Sequence, residues 1–169
     1  LAVNGGDIKQ YEGVFKSARK GLPIVAINTT SGTAADVTIN YVITDEARKV
    51  KMVMVDKNSL ATISVNDPEL MTLKPASVTA ATGMDALTHA VEAYVDKEWS
   101  PAADGLALQA IRLIRDHLLL ACAQPENLQA RGAMLAASCL AGIAFSHSMV
   151  GMVHGISHAL GGVYHIPHG

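Results

Sequence analysis

The sequence predicts a mainly α-helical chain with a smaller α/β part at its N-terminus. Three observations predict it. Strand candidates rich in Val, Ile and Thr are confined to the first 70 residues, and alanine-rich stretches with helical spacing fill the rest. Pro75, Pro101 and Pro125 each stand where a helix would open. The two parts divide as 1–70 and 71–169, with no flexible linker, because Asp67 to Lys74 is short and carries apolar residues.

In chain order, Ile8 to Ala18 has the pattern of a short helix stopped by Gly21 and Pro23. The apolar run Ile24 to Ile27 comes next as a buried strand, then Val37 to Ile43, Lys51 to Val55 and Ala61 to Val65 as further strands. Four helices are expected after that. They cover Ser77 to Val95, Pro101 to about Cys122, a stretch from Pro125 to about Phe145, and Met149 to Leu160, the last ended by Gly161-Gly162.

With 169 residues the chain is long enough to bury a core without staples. Half the residues are hydrophobic, only 17% are charged, and the mean hydropathy is +0.26, so its helices should be buried on most sides. That balance also favours self-association, and a homo-oligomer is expected. A formal charge of -2, with no basic cluster interleaved with aromatics, argues against a nucleic-acid partner. Cys122 and Cys139 form no Cys-x-x-Cys pair and read as small core residues in a reducing cytoplasm. No secretory leader pattern opens the sequence. Ala133 to Phe145 is nearly all apolar, but it is shorter than the roughly 20 residues that cross a bilayer, and Ser146, His147 and His154 interrupt its continuation, so no membrane span is expected.

Chemistry concentrates in two places. A 3.6-residue period puts Asp85, His89, Glu92 and Asp96 on one strip of an otherwise apolar helix, with no Lys or Arg between Lys74 and Lys97. A solvated face normally mixes both signs of charge, so the strip reads as a buried or cleft-facing site; an exposed acidic strip is the plain alternative. Five of the seven histidines lie between His147 and His168, and His154 and His158 share a helix face at i, i+4. Together with Asp85 and His89 they supply enough N and O donors for iron or zinc. Spacing alone does not choose among the histidines, and a hydrogen-bonded helical core remains the alternative.

The Ser/Thr-rich turn Thr29-Thr30-Ser31-Gly32-Thr33 succeeds a strand, and its hydroxyls and amides suit a phosphate or a polar cofactor edge, although such turns are common without a ligand. Neither a G-x-G-x-x-G nor a Walker A sequence is present, so glycines give no argument for a dinucleotide.

Taken together, Asn4-Gly5-Gly6, Tyr11-Glu12-Gly13, Pro23 to Thr38, Asn66 to Leu70, Thr82 to Tyr94, Val153 to His158 and Pro167-His168-Gly169 resemble, in order, the motifs of the iron-containing alcohol dehydrogenase family. That family includes lactaldehyde reductase and propanediol dehydrogenase, and Ala34 to Tyr41 is most similar to the lactaldehyde reductase form of its loop. The resemblance implies the remnant of a Rossmann-like nucleotide-binding domain followed by an all-helical metal-binding domain. It also implies that members of the family extend further at both ends, with a glycine-rich pyrophosphate loop before the part matched here.

By position, the resemblance makes Asp85, His89, His154 and His168 the metal ligands and places His158 beside nicotinamide and substrate. Thr29, Thr30, Gly32, Thr33, Asn40, Lys51 and Leu70 match positions that contact the dinucleotide. The implied activity is hydride transfer between NAD or NADP and a small alcohol, diol or aldehyde, with Fe(2+), or Zn(2+) on the same donors, polarising the substrate oxygen. Ser146-His147 stands where relatives carry Asn-Asn, and His165 is an additional imidazole near His168. The rival readings are a non-catalytic metal-binding or self-associating helical module and, less well matched by Asp85 to His89, a lyase related to dehydroquinate synthase.

Overall fold

The computed structural model describes residues 1–98 and 100–169. Among the described residues, five short strands and several 3-10 turns come first, and four helices follow. β1 (Gly13–Val14), β3 (Asn40–Asp45) and β4 (Val50–Val55) form one sheet in the order β1-β4-β3, with β1 parallel and β3 antiparallel to β4. β2 (Val25–Ile27) and β5 (Ile63–Val65) form a separate parallel pair. The helices are α1 (Ala76–Val95), α2 (Pro101–Ala123), α3 (Leu128–His147) and α4 (Met152–Tyr164). The chain is thus mainly helical with a small α/β part ahead of the helices.

Several expectations are corrected. Ile8 to Ala18 is not a helix: a 3-10 turn at Ile8–Tyr11 gives way to β1, because Gly13 (φ 105°) and Phe15 (φ 51°) take left-handed conformations that no helix continues through. The strand expected at Val37 starts only at Asn40, since the Val37 amide closes a turn on the Ala34 carbonyl. β2 is not buried, as Val25 and Ile27 are both more than half exposed on an uncovered face of the β2–β5 pair. Gly161-Gly162 does not end α4. A Cβ at Gly162 would sit 2.9 Å from the Lys49 carbonyl oxygen, so this glycine serves close packing of α4 on β4. His165, at φ 54°, is the left-handed residue that terminates the helix. Both cysteines are free and half-buried rather than core residues.

The helical bundle is built on alanine. Ala90, Ala93, Ala103, Ala107, Ala110, Ala141 and Ala144 meet where α1, α2 and α3 converge, and their small side chains bring the helices close. Ser100 caps α2 ahead of Pro101, and Asn127 caps α3 by accepting from the Ala130 amide at 3.0 Å. The buried Arg131 guanidinium ties the start of α3 to the start of α1, donating to Thr79 Oγ1 at 2.6 Å and to the Pro125 carbonyl at 2.8 Å. α3 is the one described helix long and apolar enough to cross a membrane by length and composition, because it extends beyond the shorter apolar run Ala133 to Phe145 at both ends. Its packing against α1 and α2, with ten of its residues buried, makes it the core helix of the bundle.

Gly105 lies exposed in the interior of α2, and a Cβ added there would have nothing within 4 Å. Gly105→Ala is therefore expected to stabilise the protein by about 0.5–1 kcal/mol, by restricting the unfolded chain. A chemical-denaturation midpoint equal to or below that of the parent would contradict this.

Candidate metal centre

Asp85 and His89 lie one turn apart on α1, and both are buried. His154 comes from the first turn of α4 and is also buried. His168 arrives from the tail. The left-handed His165 turns the chain back after α4, and Ser157 Oγ holds the tail at His168 Nδ1 (2.7 Å) and at the His168 carbonyl (3.1 Å).

Three imidazole nitrogens converge on one carboxylate oxygen. Asp85 Oδ1 is 3.3 Å from His168 Nε2, 3.6 Å from His154 Nε2 and 3.8 Å from His89 Nε2. Asp85, His89 and His154 each offer a donor atom within 4.8 Å of the others, close enough to share one ion. His89 stacks between Phe145 (4.5 Å) and His154 (4.3 Å), which fixes its plane.

Hydrogen bonding and electrostatics define what such a cluster requires. His154 Nδ1 lies 2.5 Å from Glu92 Oε2, so its proton belongs on Nδ1 and its Nε2 lone pair faces Asp85. The Ser157 hydroxyl can donate to the His168 carbonyl while accepting from His168 Nδ1, which turns the His168 Nε2 lone pair the same way. His154 Nε2 is buried without a hydrogen-bond partner. The Nε2 lone pairs of His154 and His168 thus gather at the Asp85 carboxylate, an arrangement that calls for a cation.

Burial pushes His89 down to about 4, against the pull of Asp85, so this imidazole is neutral and its lone pair available. Burial also works to raise the Asp85 carboxyl, but His154, His89 and His168 outweigh it and hold Asp85 below the ordinary carboxylate value. For His154, burial works to lower the pKa, and Asp85 and Glu92 outweigh it and raise it. These donors fit a divalent metal of intermediate softness.

His158, one turn beyond His154, is half-buried and stacks on His168 with ring centroids 4.9 Å apart. Burial, followed by the charges of His168 and His154, lowers its pKa. Lys51 on β4 lies on the same side. Its Nζ donates to Thr44 Oγ1 at 2.7 Å, and its charge reaches His158 and His168.

The Thr29 to Thr33 turn joins the centre through Gly32. A Cβ there would lie 2.9 Å from the Thr82 carbonyl oxygen of α1, and the Gly32 carbonyl accepts from Ser138 Oγ of α3 at 3.1 Å. Thr29 and Thr33 are exposed and Thr30 half-buried. Asn40, paired with Val55, and Leu70, exposed on the 3-10 turn Pro68–Met71, make no hydrogen bond to the centre among the described residues. His147 and His165 are both exposed and neither joins the cluster.

Two residues of the site carry roles that the sequence alone does not assign. Glu92 belongs to the acidic strip, and its being the only carboxylate within a turn of His89 on the C-terminal side is the available signal. Ser157 gives none beyond its place between His154 and His158.

Residues 1–68 match "Iron-containing alcohol dehydrogenase" and residues 79–169 match "Fe-containing alcohol dehydrogenase family, C-terminal". The chain is 50% identical to the NAD-dependent methanol dehydrogenase of Bacillus methanolicus, covering 100% of this chain and 44% of that protein. It is 52% identical to the 1,3-propanediol dehydrogenase of Klebsiella pneumoniae, over 99% of this chain and 43% of that one. The crystal structure of a 1,3-propanediol oxidoreductase superposes with a TM-score of 0.93 at 52% identity, covering 99% of this chain and 44% of the other. An alcohol dehydrogenase from Oenococcus oeni superposes with a TM-score of 0.94 at 43% identity over the same shares. The chain spans less than half the length of these relatives. With both of its parts matched, the chain belongs to the iron-containing alcohol dehydrogenase family.

Proposed function

We propose that this chain carries the metal centre and part of the cofactor cradle of an NAD-dependent alcohol dehydrogenase that acts on small alcohols or diols, reversibly with the aldehyde or ketone. The observation that carries the reading is the convergence of three imidazole nitrogens on Asp85 Oδ1, with His154 Nε2 buried and unpartnered. Asp85, His89, His154 and His168 are the proposed ligands. Iron is proposed on the family's description and zinc as the ion the same donors accept; NAD is preferred to NADP on the strength of the methanol dehydrogenase relative.

When bound, the metal supplies a Lewis acid that polarises the substrate oxygen, and NAD supplies the hydride acceptor. The chain's own residues do the rest. His89 and His154 form a buried wall that excludes water from one side of the site. His158, half-buried and stacked on His168, takes up the hydroxyl proton as the general base. Lys51 and the Thr29, Thr30, Gly32 and Thr33 turn, with Asn40 and Leu70, are proposed to contact the dinucleotide, and Gly32 fixes that turn against α1.

We divide the chain at residue 70, as the change from strands to helices supports, into a partial dinucleotide-binding part (1–70) and a helical metal-binding part (71–169). A cytoplasmic homo-oligomer is proposed, and the exposed apolar residues Val25, Ile27 and Leu73 support self-association.

Mixing metal-loaded protein with NAD and 1,3-propanediol or methanol should raise the nicotinamide absorbance. Stoichiometric metal without any absorbance change would instead make the chain a metal-binding helical module.

A further inference from the structure

We infer that Glu92 is a positioning residue that sets the metal-binding tautomer of His154 and, with the same carboxylate, caps the helix that carries His154. The inference rests on the metal-centre reading above and concerns a residue outside its ligand set.

α4 follows the N-cap Gly151, which offers no side-chain cap of its own. The first amides of a helix need acceptors, and a side chain from α1 provides them. Glu92 Oε2 accepts from the Gly151 amide and Oε1 from the Val153 amide, each at 2.8 Å, with the His154 amide a longer contact at 3.4 Å. Oε2 also receives His154 Nδ1. One buried carboxylate therefore satisfies backbone donors and an imidazole at once.

The geometry is tightly built. A Cβ on Gly151 would lie 3.0 Å from Glu92 Oε1, so the glycine leaves room for the carboxylate. With Nδ1 committed to Glu92, the ring cannot rotate or change tautomer without breaking this bond, and Nε2 is aimed at Asp85 Oδ1. A carboxylate behind a ligating imidazole also makes it a better donor. Helix capping alone would need neither the Nδ1 contact nor the placement of Glu92 on the same face of α1 as Asp85 and His89.

The test compares the parent chain, Glu92→Gln and Asp85→Ala, titrated with Zn(II) and with Co(II) as a coloured probe. The glutamine oxygen can replace only one of the two accepting oxygens, and its NH2 faces N–H donors, so the apo thermal midpoint should fall. Zn(II) affinity should fall about 10–100-fold, and the visible Co(II) bands should shift as the His154 ligand field changes. Changes in affinity and spectrum support the inference whatever the apo midpoint does. Unchanged affinity and spectrum, with or without a lower apo midpoint, make Glu92 a helix cap only and overturn it. If Glu92→Gln does not fold, Glu92→Asp withdraws the carboxylate by one methylene while keeping its charge, and the same criteria apply. A parent that binds neither ion overturns the metal-centre proposal and this inference together; a parent that binds both, beside an Asp85→Ala that binds neither, leaves the result for Glu92 to stand alone.

Discussion

Asp85→Ala and His154→Ala are each expected to leave protein that, purified without added metal, holds no stoichiometric iron or zinc by plasma mass spectrometry. The loss should be at least about 100-fold in affinity, the upper end of what removing a mere outer-shell partner costs. The two substitutions fail for different reasons. Asp85 is the only carboxylate among the converging atoms, so its removal leaves three neutral imidazoles with no charge to offset a divalent ion. His154→Ala keeps that charge but deletes the buried, unpartnered Nε2. Glu92 still has the Gly151 and Val153 amides to accept from, so α4 should stay docked and the loss should be local. Retention of one metal per chain in either variant would sink the ligand assignment.

Gly142→Ala should destabilise the protein by about 1–3 kcal/mol, although the same change in a free helix gains stability. A Cβ at this position would meet the Ala34 Cβ at 2.3 Å and the Val37 Cγ2 at 3.0 Å. The Ala34 methyl cannot swing aside, because it is fixed to a backbone already in the left-handed region at φ 51°. Either α3 or the turn at Ala34 to Thr38 must shift, and that turn carries the buried Asp36, held by Ser64 and Asn66. Equilibrium denaturation checks the sign directly against Gly105→Ala, where the same atom is added in open space. A Gly142→Ala variant as stable as the parent would mean that α3 does not approach the turn this closely.

α1, α2 and α3 are legible because Pro75, Pro101 and Pro125 punctuate alanine-rich segments, and those signals act locally. Sequence and structure part where a residue's reason is tertiary. Gly161-Gly162 looks like a stop in sequence, yet it is the contact surface of α4 on β4, and the true stop, His165, has no glycine to advertise it. Gly13 ends a short helical pattern by its backbone angle, which the apolar spacing around it does not report. In the site, the one-turn spacing of Asp85 and His89 is readable from helix geometry alone. Separating His154 and His168 from His147 and His165 requires the turn at the end of α4, and in the sequence only resemblance could make that choice. Glu92 is visible as an acid on an apolar helix, but the helix it caps lies more than a helix pair further along the chain.

The distribution of the proposed ligands over the chain also bears on how the protein comes apart. Asp85 and His89 precede α2 and α3, whereas His154 and His168 come after them. The bundle of α1, α2 and α3, joined by short connections, can form from near-neighbour contacts, and only after it closes can α4 and the tail meet α1. An ion that needs all four residues finds no site in the chain before that last step. Its stabilisation is then absent from the folding barrier and acts almost wholly on the reverse path, so that loading the centre lengthens the lifetime of the native state without hastening its formation.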